Sequence, residues 1–361
     1  MRVLIAGGGT GGHVIPALAI GRELRDRHGA EVRYIGTARG IETKLIPEAG
    51  FALDLIQVGK LKNVGLLERA KTLTDLPRGI LHCLGLLRSF RPAVVVGVGG
   101  YASGPAMLAA VLLRIPTVAY EPNAAPGLAN RLVGKYVSAA CVNFPEAANF
   151  FRNAKVTGVP VREAIAAIPD RPSGESLRLL VTAGSNGAKV FNDTLPLIAR
   201  DLIASIPGLT IVHQTGERAL DSTVSAYAKY GLLADEKDEP VTVRPFLTDM
   251  PAQLERADLV LARSGSTVAE LAAAGRPSLL VPFPQAADDH QTRNAQAMVQ
   301  AGAAKMLAQR DLTPESLANE LRSMLLDPDG LRTMGQRARA ASHPGALQAI
   351  VQRIVTVAGS R

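Results

Sequence analysis

Three glycine-rich turns carry the clearest chemistry in this sequence. They read Gly7-Gly8-Gly9-Thr10-Gly11-Gly12-His13, Gly97-Val98-Gly99-Gly100-Tyr101-Ala102-Ser103-Gly104 and Ala183-Gly184-Ser185-Asn186-Gly187-Ala188. Each follows an apolar, β-branched run and opens a helical pattern. Glycine admits positive φ and a close backbone approach. The free N–H groups of a helix start, reinforced by the macrodipole, favour an anion. One such turn serves sterics as readily as a ligand. Three of them, two in the first half of the chain and one in the second, point to phosphate binding at the carboxyl ends of parallel strands. Gly7, Gly9 and Gly12 also satisfy G-x-G-x-x-G, so a dinucleotide fold is a rival. That fold uses an acid after its second strand for the ribose hydroxyls. Here the strand runs into Gly36-Thr37-Ala38-Arg39, where no acid stands and Arg39 would suit only a 2′-phosphate. None of the turns has the Gly-Lys-Ser/Thr of a P-loop.

His13 directly follows the first turn. It either packs or caps there, or it acts as a base: a helix N-terminus favours the neutral imidazole, which accepts a proton. In Arg263-Ser264-Gly265-Ser266-Thr267-Val268-Ala269-Glu270, Ser266 or Thr267 can cap a helix whose first turn holds Glu270. That is either a plain capping box or a carboxylate placed for vicinal ribose hydroxyls. Asp288-Asp289-His290-Gln291 follows Pro282-Phe283-Pro284 in a polar loop, with a spacing that fits no standard metal site.

These residues need elements to hold them. Strands are expected at residues 3–6, 32–35, 93–96, 117–120, 177–181, 210–213, 241–244, 259–261 and 278–281. Several are near-continuous in Val, Ile and Leu, as in parallel strands buried on both faces. Helical patterns at 16–27, 68–88, 193–205 and 268–274 lie between them, so the class is α/β with parallel sheets. There are two such sets. We place a hinge near 160–170, before the Pro/Ser/Gly stretch at 169–176. An amphipathic helix at 346–357 is expected to pack back on the first set. The domains are therefore 1–162, with the terminal helix from about 343 to 361, and 163–342.

The chain has 361 residues, 47% of them apolar and 20% charged, which is globular composition. Its net charge is +8, but residues 1–162 hold 20 Lys and Arg against 10 Asp and Glu. The excess positive charge thus lies in the first half, where it serves solubility or attracts an anionic surface or substrate. No basic tract interleaved with aromatics is present, which argues against nucleic acid. Cys83 and Cys141 have no motif spacing and are expected as buried, reduced thiols. The first residues read as a buried strand entering a turn, not as a signal peptide. The uncharged run at 92–113 is cut by Gly97, Gly99, Gly100, Gly104 and Pro105, so it reads as strand, loop and helix, not as a membrane span. A soluble protein with peripheral membrane contact is the expectation.

Seven motifs stand in one order: Gly8-Gly9-Thr10-Gly11-Gly12-His13, Glu121-Pro122-Asn123, Gly158-Val159-Pro160-Val161-Arg162, residues 183–188, His213-Gln214-Thr215-Gly216, Arg263-Ser264-Gly265 and Asp289-His290-Gln291. In order and spacing the series resembles the MurG family, the UDP-N-acetylglucosamine: undecaprenyl-pyrophosphoryl-N-acetylmuramoyl-pentapeptide N-acetylglucosaminyltransferases, over essentially the whole chain. The resemblance implies a GT-B architecture, two Rossmann-like domains facing an interdomain cleft. It implies inverting transfer of N-acetylglucosamine from UDP-GlcNAc to the 4-hydroxyl of lipid I, giving lipid II for peptidoglycan synthesis, with no metal and no cofactor. The place of work would be the cytoplasmic face of the cell membrane. By motif, Arg162 and Ser185 resemble the pyrophosphate contacts, Glu270 the ribose contact, Leu247 a backbone contact to uracil and Gln291 a donor-sugar contact. Ser266 and Thr267 join this donor set. Thr10, Gly11, Gly12 and Asn123 resemble sugar or acceptor contacts, and His13 the base.

Ala183 stands where the family commonly has Gly, Asn186 where Gln is common, Pro122 where many members have Gln, and Leu247-Thr248 where Ile-Asp is frequent. These departures bear on fine donor contacts. Without a metal, the leaving UDP needs dipoles and a cation, which a helix start at Ser185 and the Arg162 guanidinium would supply. The acceptor's pyrophosphate needs a second anion site, which the two first-domain turns could provide. The stretch 60–91 sets Leu66, Leu67, Leu73, Leu76, Ile80, Leu81, Leu84 and Leu87 among Lys62, Arg69, Lys71, Arg78 and Arg88. It is core packing in part, and its cationic face suits anionic lipid. Two other readings stay open: another UDP-sugar enzyme on this scaffold, such as an epimerase or a transferase with a different acceptor, and a non-catalytic nucleotide-binding module.

Overall fold

The computed structural model describes residues 1–38, 40–58, 66–170, 176–233 and 240–360, the side chains of 66–74 excepted. The chain divides into two compact units, Met1–Pro160 with Gly345–Arg361, and Val161–Pro344.

The first unit is built on seven strands: β1 (Arg2–Gly7), β2 (Glu31–Thr37), β3 (Ala52–Ile56), β4 (Val94–Gly99), β5 (Thr117–Glu121), β6 (Ala139–Val142) and β7 (Ala154–Val156). All neighbours pair in parallel, in the order β3-β2-β1-β4-β5-β6-β7. The central strands are apolar along their whole length because helices cover both faces. Val3, Ile5, Val94 and Val96 face one core layer; Leu4, Ala6 and Val95 face the other. The terminal helix Ala346–Ala358 buries Ile350, Val351 and Ile354 in the first of these layers. That stripe repeats every three to four residues, as an amphipathic helix on a sheet requires.

The second unit has six strands: β8 (Arg178–Thr182), β9 (Thr210–Gln214), β10 (Val241–Arg244), β11 (Leu259–Ala262), β12 (Ser278–Leu280) and β13 (Lys305–Met306). Their order is β10-β9-β8-β11-β12-β13, again all parallel. Phe191, Leu195, Leu202, Leu317 and Leu321 pack on this sheet.

Both sheets reverse their winding once, between β1 and β4 in the first and between β8 and β11 in the second. At such a switch point the connections leave in opposite directions and open a crevice at the carboxyl ends of the strands. The three glycine turns and the 263–270 segment emerge from these four strands, two at each switch point.

The nine expected strands are all present. β3, β6, β7 and β13 were not anticipated, and three of these are short or lie toward sheet edges, where apolar patterning is weakest. The uncharged run at 92–113 is β4, a turn and the helix Ser103–Leu112. Both cysteines are buried thiols, and burial pushes their pKa up, to about 12 for Cys83 and about 11 for Cys141.

Candidate active site

At the first switch point the two glycine turns touch. The Gly8 N–H donates to the Gly99 carbonyl at 3.3 Å, and β1 and β4 slip register at this point, where Gly7 pairs with Gly99. A side chain at Gly99 would set its Cβ 2.9 Å from His13 Nε2, so the imidazole lies directly against the second turn. Gly99 has φ 92°, which also favours glycine. The helix Gly11–His28 begins behind Thr10, whose extended backbone places it at the N-cap without a side-chain capping bond. Its hydroxyl instead lies 3.4 Å from His13 Nδ1. Thr10, Gly11, Gly12 and His13 thus share one helix start, with Thr10 exposed and the others half-buried.

A carboxylate that the sequence reading passed over lies beneath this turn. Glu42, fully buried, accepts from Gly9 N–H at 2.8 Å through Oε2, and from Thr37 N–H at 3.0 Å and Thr37 Oγ1 at 2.9 Å through Oε1. Burial pushes its carboxyl up, and the N–H donors of Gly9 and Thr37 outweigh this, so its pKa falls below the ordinary value. No acid stands at the end of β2 itself; Glu42, in the helix that follows, serves the protein's own backbone. It also fills part of the anion site expected of the first turn. Arg39 lies outside the described residues.

Asn123 is positioned by a second buried acid. Glu121 takes Asn123 N–H and Nδ2, each at 3.0 Å, Gly127 N–H at 3.1 Å and Asn130 Nδ2 at 3.0 Å. Burial raises the Glu121 pKa, with these four donors opposing it. The turn at 122–127 is thus folded around one carboxylate.

In the second unit, Arg162 Nη2 donates to Glu270 Oε1 at 3.2 Å. Burial raises the Glu270 pKa, while Arg162 lowers it. Glu270 lies in the first turn of the helix Thr267–Ala273, directly after β11. Ser266 occupies the N-cap but has helical dihedrals and makes no side-chain capping bond, so the capping-box alternative does not form. The chain after Arg162 is tied to the far end of that helix. Arg339 donates to Ile168 and Asp170 on one side and to the Ala273 and Ala274 carbonyls on the other.

Ser185 lies in an exposed turn between Gly184 and Gly187, both at positive φ. The helix after it starts at Lys189, four residues later than the helix start expected at Ser185. What anchors this turn is Gln214, which donates to the Gly184 carbonyl at 3.0 Å and accepts from Thr182 Oγ1 at 2.9 Å. Gln291 is oriented by its amide oxygen, which accepts Phe283 N–H at 2.9 Å. Its backbone carbonyl takes Ser264 Oγ at 2.8 Å. Arg263 holds the facing turn through the Val281 and Pro282 carbonyls, flanked by the rings of Phe191 and Phe283. Asp288 and Asp289 both take left-handed φ just before Gln291. Leu247 is buried. Among the described residues no group of three His, Cys, Asp or Glu could hold a metal ion.

Comparison with known proteins decides the family. Residues 3–142 match the glycosyltransferase family 28 N-terminal domain and residues 178–350 its C-terminal domain. A Solibacter usitatus protein is 44% identical over 351 residues, 95% of this chain and 92% of its own. An Anaeromyxobacter protein is 46% identical over 359 residues, 97% and 91% of the two chains. Both carry the name UDP-N-acetylglucosamine–N-acetylmuramyl-(pentapeptide) pyrophosphoryl-undecaprenol N-acetylglucosamine transferase. The crystal structure of Acinetobacter baumannii MurG superposes with a TM-score of 0.81 at 31% identity, covering 98% of this chain and 99% of that one. This chain belongs to the MurG family.

It is therefore a glycosyltransferase of family 28 with the GT-B fold, and each of its two Rossmann-like units carries part of the motif series. Thr10, Gly11, Gly12, His13 and Asn123 are in the first unit; Arg162, Ser185, Leu247, Ser266, Thr267, Glu270 and Gln291 are in the second. Within the second unit, Arg162 meets Glu270 directly. Glu42, Gln214, Arg263 and Arg339 are the supports that sequence reading did not assign. Gln214 and Arg263 stand within the motif series, whereas no motif marks Glu42 or Arg339.

Proposed function

We propose that this chain transfers N-acetylglucosamine from UDP-N-acetylglucosamine to the muramoyl 4-hydroxyl of undecaprenyl-pyrophosphoryl-N-acetylmuramoyl-pentapeptide, with inversion and formation of a β-1,4 linkage. The observation that carries this reading is the Arg162–Glu270 pair at the second switch point: one cation for a diphosphate and one carboxylate for a ribose, 3.2 Å apart. In this reading the second unit holds the donor. Arg162 and the N–H groups of the 184–188 turn take the diphosphate, Glu270 the ribose hydroxyls, the Leu247 backbone the uracil and Gln291 the sugar. Ser266 and Thr267 flank the ribose.

The first unit holds the acceptor through Thr10, Gly11, Gly12 and Asn123. His13 removes the 4-hydroxyl proton as that oxygen attacks the anomeric carbon and UDP departs with the bonding pair. The fixed positive charge of Arg162 counters the charge that develops on the leaving diphosphate.

A cytoplasmic, peripheral seat on an anionic membrane completes the reading. No helix among the described residues is long and apolar enough to cross a membrane. Leu81, Leu108, Leu112, Leu132 and Tyr136 are exposed on or beside the helices Leu66–Phe90, Ser103–Leu112 and Leu128–Val133, which pack one against the next. Exposed Arg78, Arg88, Arg131 and Lys135 lie on or beside the same helices. Apolar side chains with cations beside them suit an anionic lipid surface. Lys62, Arg69 and Lys71 of the 60–91 face lie outside the described side chains. Nucleic acid is no part of this reading.

The test is a chromatographic assay of UDP release and disaccharide formation with the lipid-linked muramoyl acceptor. Turnover without that acceptor, or 2-epimerisation of the donor, would overturn it.

A further inference from the structure

The first glycine turn carries an anion of its own. Glu42 starts the helix Glu42–Glu48 and projects inward, with no exposed surface. Gly36 allows this: a Cβ there would come 2.7 Å from Glu42 Cγ. The carboxylate uses both oxygens. Oε2 faces Gly9 and Oε1 faces Thr37, so one rigid group ties the turn after β1 to the end of β2. Gly9, at φ 93°, would otherwise be an exposed turn residue with little to fix it. Thr10 and His13 follow immediately, and His13 already rests against Gly99 on the other side.

We propose that Glu42 is a positioning residue for the transfer, a built-in anion that holds the Gly9–Thr10 turn and so sets His13 at the acceptor. This rests on the reading of His13 as base. The same charge keeps Gly9 N–H from a substrate phosphate, so the acceptor's pyrophosphate falls to the remaining N–H groups at Gly11 and Gly12. Replacing the carboxylate by an amide breaks the arrangement by a definite route. An amide has one acceptor end. Whichever way Glu42→Gln turns, its NH₂ end meets the N–H of either Gly9 or Thr37 at a buried position.

The test compares Glu42→Gln and Tyr34→Phe with the wild type. Tyr34→Phe removes the hydroxyl that donates to the Ala17 carbonyl at 3.0 Å, a buried bond between β2 and the helix Gly11–His28 that leaves the turn alone. Glu42→Gln is expected to lower kcat at least tenfold while donor KM and UDP affinity stay within twofold. Tyr34→Phe is expected to keep kcat within threefold. In ¹H–¹⁵N spectra of the wild type, the Gly9 amide should exchange slowly despite its exposed position, a measurement that holds even if Glu42→Gln folds poorly. A Glu42→Gln enzyme with kcat within threefold of wild type, a Tyr34→Phe enzyme as impaired as Glu42→Gln, or a rapidly exchanging Gly9 amide would each overturn the proposal. Absence of turnover in the wild type would instead refute the proposed reaction.

Discussion

Arg162 and Glu270 satisfy one another across 108 residues of sequence, Nη2 to Oε1, at the mouth of the second sheet. The pair is half open to solvent, with side-chain exposures of 51% and 30%. An ion pair so placed contributes little to stability. In the proposed reaction Arg162 would leave Glu270 for the diphosphate at small cost, and the same movement would release the carboxylate for the ribose hydroxyls.

Arg162→Ala should weaken UDP binding by roughly tenfold to a hundredfold, the usual loss for a charge-assisted hydrogen bond. Uridine, which has no phosphate, should bind as well as to the wild type or slightly better. Calorimetric titration with both ligands checks this. Equal losses for UDP and uridine would assign Arg162 to the nucleoside instead.

The pH response of nucleoside binding should report Glu270. Its pKa is raised by burial against the opposing effect of Arg162, so its neutral form appears at a higher pH than for an ordinary glutamate near ~4.3. As pH falls toward that raised value, the carboxylate gains a proton and loses acceptor capacity for the ribose. Uridine affinity should therefore decline on the acid side. In Glu270→Gln the affinity should be low and flat with pH. An acid limb that persists in Glu270→Gln would mean another group is titrating.

His13→Ala should lower kcat by about a hundredfold to ten-thousandfold, the range of general base catalysis, and leave UDP affinity within twofold. Single-turnover kinetics with saturating donor separate the two effects. Near-normal kcat would remove His13 from the role and leave it as the packing partner of Gly99.

Replacing Arg78, Arg131 and Lys135 together with Gln should weaken sedimentation with anionic vesicles. At about 1 kcal/mol for each cation near the surface, the loss is on the order of a hundredfold at low salt. Turnover of a short-chain, water-soluble acceptor should be unaffected. Unchanged vesicle binding would assign these cations to solubility alone.

Much of this was legible in the residues themselves. Near-continuous Val, Ile and Leu runs marked β1, β4, β8 and β11, because a strand covered on both faces has no polar side to show. The glycines after β1, β4 and β8 marked the turns, because Gly9, Gly99, Gly100, Gly184 and Gly187 hold a positive φ that favours glycine. Local physics of this kind is written in consecutive residues. What tertiary structure alone decided is which distant groups meet. Arg162 finds Glu270, Glu42 finds Gly9, and Gln214 finds Gly184, through strand order and the reversal of winding at each switch point. Glu42 reads in sequence as an ordinary surface acid at a helix start. It becomes a buried anion because β2 delivers Thr37 and β1 delivers Gly9 to the same place, and no spacing along the chain encodes that meeting.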